Sequence, residues 1–374
     1  MQTVSGRRAS FGDLPVPSDA EIRKILVQRI DEYRQSVGIV VGMLGPTGRR
    51  IVSCGALEKD DPRPLTGDTV FEIGSITKVF TALLLTDMVQ HGEVALSDPV
   101  ATYLPAQVTV PERNGRQITL QDLATHRSGL PRLPSNFKPK DPSNPYADYT
   151  VEQLYQFLST YELPRDVDSQ FEYSNLGFGL LGHALERRAG MDYESLLRTR
   201  ILDRLRMSST RIVLSPDMKA RLASGHNGKL ERVGNWGLTT LAGAGALRST
   251  ANDMLTFLAA NLGDTQPPLS AAMTAMLRVP CPTGRESAIG WRTVTLDGIF
   301  ARDGHYIVWM NGGTAGYRTF LGFDPKARAG VVVLANAFSV SEAPSGIEDI
   351  DDIGLHLLDA RFPLNQRPHE QNTN

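Results

Sequence analysis

The 374-residue chain holds only two cysteines, Cys54 and Cys281, and neither belongs to a CxxC pair. They exclude a disulfide framework or a thiol-built zinc site, and they read as two separate buried thiols with room for one bridge at most. An excess of charge of one sign is also missing, since 39 Lys plus Arg stand against 41 Asp plus Glu. That balance argues against broad attraction to nucleic acid or to an anionic membrane. No apolar run approaches the ~18 residues that a membrane-spanning helix requires. Behind the basic Met1–Arg8 there is no apolar segment, because Gly12-Asp13-Leu14-Pro15-Val16-Pro17 follows. A cytoplasmic location is therefore the expectation. HExxH is absent and the seven histidines are scattered, so no metal or organic cofactor is implied. GxSxG is absent as well, which disfavours an α/β-hydrolase.

What is present is an ordinary globular composition. Hydrophobic residues make up 41% and charged residues 21%, enough to bury a sizeable core in a chain of this length. The 34 glycines and 23 prolines point to many tight turns rather than a helical array. Ser18 opens a helix, with Asp19 and Glu21 in its first turn and Ile22, Ile25, Leu26 and Ile30 at helical spacing. Gly38–Leu44 reads as a strand, Gly45–Gly48 as a turn and Arg50–Cys54 as the returning strand. From Phe71 to about Leu262 a helical pattern prevails, broken by loops, of which the longest, Leu130–Asp148, is rich in proline. Strand-length segments return at Ile289–Leu296, Tyr306–Met310, Thr319–Phe323 and Gly330–Leu334, followed by a helix over about Ile347–Leu358. This order predicts a single α+β domain: an antiparallel sheet flanked by the N- and C-terminal helices. The sheet subdomain takes about 18–70 plus 263–362, and a large, mainly helical subdomain is inserted at about 71–262.

Three segments can carry chemistry. Ser-x-x-Lys occurs twice, but Ser135-Asn136-Phe137-Lys138 lies in the proline-rich loop, where nothing fixes the lysine relative to the serine. Ser75-Ile76-Thr77-Lys78 instead opens the apolar run Val79–Leu85, which reads as a buried helix. There, positions i and i+3 share a face, so Lys78 can sit beside the Ser75 hydroxyl near the positive end of the helix. A serine needs such a neighbouring base, and a buried lysine can have its pKa lowered enough to serve. Tyr173-Ser174-Asn175 stands at a loop-to-helix boundary and offers a phenol that can shuttle protons and an amide that can hydrogen-bond the lysine or a substrate carbonyl. The following Gly177-Phe178-Gly179-Leu180-Leu181-Gly182 satisfies GxGxxG, yet it enters one helical run, Leu176–Ala189, and lacks a βαβ unit. The third segment, Met310-Asn311-Gly312-Gly313-Thr314-Ala315-Gly316, follows a strand, and its glycines either let a substrate approach the backbone at the edge or simply make a hairpin turn.

Taken jointly, these segments resemble the serine β-lactamase and penicillin-recognising family, closest to class C β-lactamases, D,D-peptidases and β-lactamase-like carboxylesterases. The likeness extends to Leu123-Ala124-Thr125-His126-Arg127-Ser128-Gly129-Leu130-Pro131 and to Ala242–Met254, in the family's order along the chain. It implies Ser75 as acylated nucleophile and Lys78 as its proton acceptor or electrostatic partner. It further implies Tyr173 as general base or proton relay and Asn175 as a substrate-positioning group. Met310, Asn311, Gly312 and Gly313 would line the substrate, with the backbone N–H groups of Ser75 and Gly313 as oxyanion hole. Which of Lys78 and Tyr173 takes the proton stays open. Relatives usually carry Lys or His where this chain has Met310, a thioether without charge. The implied substrate is a small ester, amide or β-lactam, with esterase or amidase action favoured over β-lactamase or D,D-carboxypeptidase. Arg318 or His305 are candidates to replace the missing cation. An acyltransferase, or a binding protein that turns nothing over, would share the same motifs.

Overall fold

Ser18 begins the first helix through a capping box: its Oγ accepts the N–H of Glu21, whose carboxylate accepts the N–H of Ser18. The computed structural model describes residues 17–263, 269–277, 289–294, 306–338 and 350–364. Ten strands lie among them: β1 Gly38–Gly45, β2 Gly48–Gly55, β3 Val70–Glu72, β4 Gly225–His226, β5 Arg232–Val233, β6 Arg248–Thr250, β7 Arg292–Val294, β8 Ile307–Gly313, β9 Arg318–Asp324 and β10 Ala329–Ala335. The α-helices are α1 Asp19–Val27, α2 Thr77–Gln90, α3 Leu120–Ala124, α4 Val151–Thr160, α5 Asn175–Ala189, α6 Tyr193–Leu197, α7 Pro216–Ala220, α8 Ala251–Asn261, α9 Ser270–Met276 and α10 Asp351–Leu358. Cys54 is a free thiol, while Cys281, His305 and the ends of two expected elements (295–296 and 347–349) lie outside the described residues. Among the described residues no helix is long and apolar enough to cross a membrane.

The main sheet has the order β2-β1-β10-β9-β8-β7, and every neighbouring pair is antiparallel. The N-terminal hairpin is thus completed by strands from the far end of the chain. Alternation along each strand separates two cores. Ile39, Val41, Trp309, Phe320, Val331 and Val333 pack with Ile22 and Leu26 of α1 and with Ile353 and Leu357 of α10. Val40, Met310, Leu321, Val332 and Leu334 face the other core, which contains α2 and α8. Leu255 and Leu258 of α8 lie directly against Gly42 and Gly330 of the sheet. Helix α2 is buried on all sides from Thr77 to Met88, as a helix apolar around its whole circumference must be.

Two local differences from the sequence expectation bear on the site. Ser75 stands in a 3₁₀ turn, Gly74–Ile76, and the α-helix begins only at Thr77. Residues Asn311-Gly312-Gly313 carry β8 past the expected strand end at Met310, opposite Phe320, Thr319 and Arg318 of β9. The reason is close packing of backbone on backbone. A Cβ on Gly312 would stand 2.0 Å from the carbonyl oxygen of Ile73, and one on Gly74 would stand 2.7 Å from the nitrogen of Gly313. Gly74 also has φ +48°, which favours glycine. Gly312→Ala is therefore expected to destabilise the fold by about 3 kcal/mol, the upper part of the overpacking range, because the nearest colliding atom, the Ile73 carbonyl oxygen, is main chain and cannot swing away. Denaturant unfolding checks this, and a loss below about 1 kcal/mol would contradict the tight contact.

Candidate active site

The 3₁₀ turn presents Ser75 between the start of α2 and the end of β8. Its backbone is tied down on both sides. The Ile73 N–H donates to the Leu247 carbonyl (3.0 Å), and Thr319 Oγ1 donates to the Ile73 carbonyl (3.1 Å). At the first residue of the helix, Thr77 Oγ1 accepts the N–H of Leu247 (3.1 Å), which draws the segment before β6 against α2.

Lys78 follows on the same face and is wholly buried. Its Nζ lies 3.0 Å from Ser75 Oγ, 2.9 Å from Asn175 Oδ1 and 2.6 Å from the Ala244 carbonyl oxygen. Two of these neighbours, the amide oxygen and the backbone carbonyl, can only accept. The serine hydroxyl can do either. A neutral amine has two N–H groups and one lone pair, which matches this set: the N–H groups go to Asn175 and Ala244, and the lone pair is left for the Ser75 O–H. Burial pushes the Lys78 pKa well below the usual lysine range, and the nearby guanidinium charges of Arg132 and Arg292 push it the same way. The neutral form is thus favoured by the same surroundings that orient it.

Asn175 is the first residue of α5, where the helix start holds it in place. Ser174 caps the helix by accepting the Gly177 N–H (2.8 Å), and the N–H groups of Asn175 and Leu176 both donate to the Arg132 carbonyl (3.1 Å each). Asn175 Nδ2 donates to the hydroxyl of Tyr146 (3.1 Å), so its Oδ1 is the atom turned to Lys78. Tyr146 comes from the proline-rich loop and is held between Phe137 and Trp236, with ring centroids at 5.1 and 5.2 Å. Burial raises its pKa, which keeps the phenol neutral as an acceptor.

Tyr173 is half-buried, with the Lys78 Nζ 4.9 Å from its ring centroid. The ring of His126 lies against it at 4.5 Å, and His126 Nδ1 accepts the N–H of Ser174 (3.0 Å). That bond places the proton of the neutral imidazole on Nε2. Burial first, then any proton carried by Lys78 and the guanidinium charges of Arg292 and Arg132, hold the His126 pKa well below the usual histidine range. His126 is thereby a neutral platform that fixes the Tyr173 ring and the start of α5.

The structure brings Ser75, Lys78, Tyr173 and Asn175 together and sets the backbone of Gly313 against Gly74, beside the serine. It does not place the remaining side chains as expected. Met310 is 2% exposed and packs in the core shared with α2, so it offers almost no surface to a substrate. Asn311 turns to the other face of the sheet, where its Nδ2 donates to Asp351 of α10 (2.7 Å). Arg318 sits on that same face with Phe320, beside Gln35, Ile350 and Ile353, and its guanidinium covers Phe338 at 4.3 Å. It is therefore no substitute for a cation at position 310. Sequence reasoning assigned no role to His126, Arg132, Tyr146, Ala244 or Arg292, all of which reach the site.

A family model described as Beta-lactamase matches residues 26–354. The D-alanyl-D-alanine-carboxypeptidase/endopeptidase AmpH of Escherichia coli (strain K12) is 31% identical over 305 residues, covering 78% of this chain and 77% of that protein. A Beta-lactamase of Pseudomonas fluorescens is 25% identical over 351 residues, covering 84% of this chain and 94% of its own. Among solved structures, a class C beta lactamase from Rhodobacter sphaeroides superposes with a TM-score of 0.71 at 26% identity, covering 86% of this chain and 95% of that one.

Proposed function

The chain belongs to the beta-lactamase family and is a serine hydrolase of that kind; on that premise we propose that it cleaves a small ester or amide through an acyl-enzyme on Ser75. The observation that supports this most is the buried Lys78 amine held 3.0 Å from Ser75 Oγ by two further oxygen partners, Asn175 Oδ1 and the Ala244 carbonyl.

In this reading Lys78 takes the proton as Ser75 Oγ attacks the substrate carbonyl carbon. The negative charge that develops on the carbonyl oxygen meets the backbone N–H groups of Ser75 and Gly313. Donors of this type are typically worth ~2.7–4 kcal/mol each in the transition state. Tyr173, beside Lys78, carries the proton on to the departing alkoxide or amine. Asn175 holds the amine through its Oδ1 and is in turn held by Tyr146. Water then attacks the acyl-enzyme by the same proton path in reverse. Ester or amide cleavage is favoured over β-lactam or D-alanyl peptide cleavage because position 310 carries a buried thioether in place of a cation.

Intact-protein mass spectrometry tests this after separate incubation with a p-nitrophenyl ester, a penicillin and a cephalosporin, with product release followed alongside. We expect ester turnover and an acyl adduct on Ser75. A lasting penicilloyl adduct, or fast β-lactam turnover, would replace the ester and amide assignment while keeping Ser75 as nucleophile. Ester release with the label on another residue would overturn the mechanism.

A further inference from the structure

Three residues beyond Lys78 on α2, the buried Thr81 hydroxyl meets a second buried hydroxyl, that of Tyr193 at the start of α6. Thr81 Oγ1 lies 2.6 Å from the Tyr193 hydroxyl, 2.7 Å from the Gly243 carbonyl oxygen and 3.3 Å from the Thr77 carbonyl oxygen. A carbonyl can only accept, so the single Thr81 proton goes to Gly243, the nearer of the two. The Tyr193 O–H therefore donates to Thr81, and burial raises its pKa, which keeps that proton in place. Donation runs from Tyr193 to Thr81 to Gly243. A threonine in a helix commonly bonds the carbonyl four residues back; here its bond is turned outward to another segment.

That segment is the 3₁₀ turn Ala242–Ala244, whose next carbonyl, that of Ala244, accepts from Lys78 at 2.6 Å. Two adjacent carbonyls of one turn are thus held by two residues on one face of α2. On its other side the turn rests on α5, backbone against backbone. A Cβ on Gly243 would stand 2.8 Å from the Phe178 carbonyl oxygen, and one on Gly182 would stand 3.0 Å from the Gly243 Cα and 3.3 Å from the Tyr193 ring. Two hydroxyls are costly to bury where a Val and a Phe would fill the same space. We propose that Thr81 and Tyr193 are positioning residues for Lys78: they clamp the 242–244 turn onto α2, so that the Ala244 carbonyl stays on the amine and the amine stays on Ser75. This rests on the acyl-enzyme reading above and adds to it the residues that hold its base.

The test is the pH profile of kcat/KM for phenyl acetate in the wild type, Thr81→Val, Thr81→Ser and Tyr193→Phe, with an unfolding curve for each. Valine keeps the shape of Thr81 but releases the Gly243 carbonyl. As the turn relaxes, Lys78 loses the Ala244 oxygen, an acceptor worth more to an ammonium than to a neutral amine. The acid limb should therefore move to lower pH by about one pH unit, and the plateau should fall about tenfold as the amine loses its aim. Tyr193→Phe leaves the Thr81 hydroxyl free to turn to Thr77 and should give about half that shift, whereas Thr81→Ser should restore the wild-type limb and plateau. The other titratable or charged groups that face Lys78 are Tyr173, His126, Arg132 and Arg292. Among the described residues none of these hydrogen-bonds Thr81 or Tyr193, so the shift reads the carbonyl contact. Variants that lose stability but keep the wild-type limb and plateau would make the pair merely structural and overturn the proposal. A limb that moves to higher pH, or a loss that serine does not restore, would overturn it too. Should Thr81→Val fail to fold, Tyr193→Phe decides by the same readings. These outcomes leave the acyl-enzyme reading standing; a wild type with neither ester turnover nor an acyl adduct on Ser75 would overturn both.

Discussion

Replacing Ser75 by alanine is expected to abolish turnover, lowering kcat by roughly 10⁶-fold, the scale on which loss of a nucleophile acts in a serine hydrolase. The size follows from the lack of a substitute. Ser75 Oγ is the aliphatic hydroxyl that hydrogen-bonds the Lys78 amine among the described residues. The other nearby hydroxyls are engaged elsewhere: Thr77 Oγ1 accepts the Leu247 N–H, and Thr81 Oγ1 donates to the Gly243 carbonyl at 2.7 Å. The fold should be little changed, because Ser75 is only half-buried and the turn is held through the main chain of Ile73 and Gly74, not through the Ser75 side chain. Steady-state kinetics with phenyl acetate, together with an unfolding curve, checks both parts. Turnover within tenfold of the wild type in a folded variant would remove Ser75 from the chemistry and, with it, the acyl-enzyme.

Lys78→Met should lower kcat/KM by roughly 10²–10⁴-fold, the usual contribution of a positioned general base. It should also change stability in a way that depends on pH, and the sign can be worked out. The folded-state pKa of Lys78 lies below its unfolded value. Above about pH 10.5 the amine is neutral in both states and ionisation contributes nothing. As pH falls below that, the unfolded chain binds a proton that the folded chain resists, so the wild type loses stability progressively until pH reaches the folded pKa. Methionine has no such loss, but it leaves Asn175 Oδ1 and the Ala244 carbonyl without their donor, at about 1–3 kcal/mol for each acceptor left unsatisfied. The wild type should therefore lead at high pH, and the difference should move toward the variant as pH is lowered to 7. Denaturant midpoints at the two ends of that window decide the matter. A difference that does not change with pH would mean that Lys78 titrates as an ordinary lysine, and its role as base would fall. The same shift predicts a wild-type kcat/KM that rises with pH through the lowered pKa and levels off well before 10.5.

The parts of this protein that depend on neighbours in sequence could be read from sequence. Ser18 and Glu21 specified a cap three residues apart, and both strands of the first hairpin and their turn followed from a local apolar pattern. Ser75 and Lys78 share a face because any helix places i and i+3 together, and Asn175 opens α5 because Ser174 is a good cap. The expected α+β order followed from the sequence of such elements, and the sheet that pairs β1 with β10 is the one that order calls for.

Side-chain facing and the choice of partners were decided by the tertiary structure. The strand expected to end at Met310 runs on to Gly313 in β8, because the bare backbones of Gly312 and Gly313 fit against Ile73 and Gly74. Once those residues are a strand, alternation buries Met310 in the helical-side core and turns Asn311 and Arg318 to the terminal-helix face. The Ala244 carbonyl that completes the Lys78 site leaves no signature in residue type, since every residue has one. Tyr146, from an irregular loop, and Arg292, from an edge strand, meet α5 and Tyr173 only because the packing of distant segments brings them there. Local spacing fixes which groups share a helix face; long-range packing fixes which charges and carbonyls they face, and here that pushes the Lys78 pKa down.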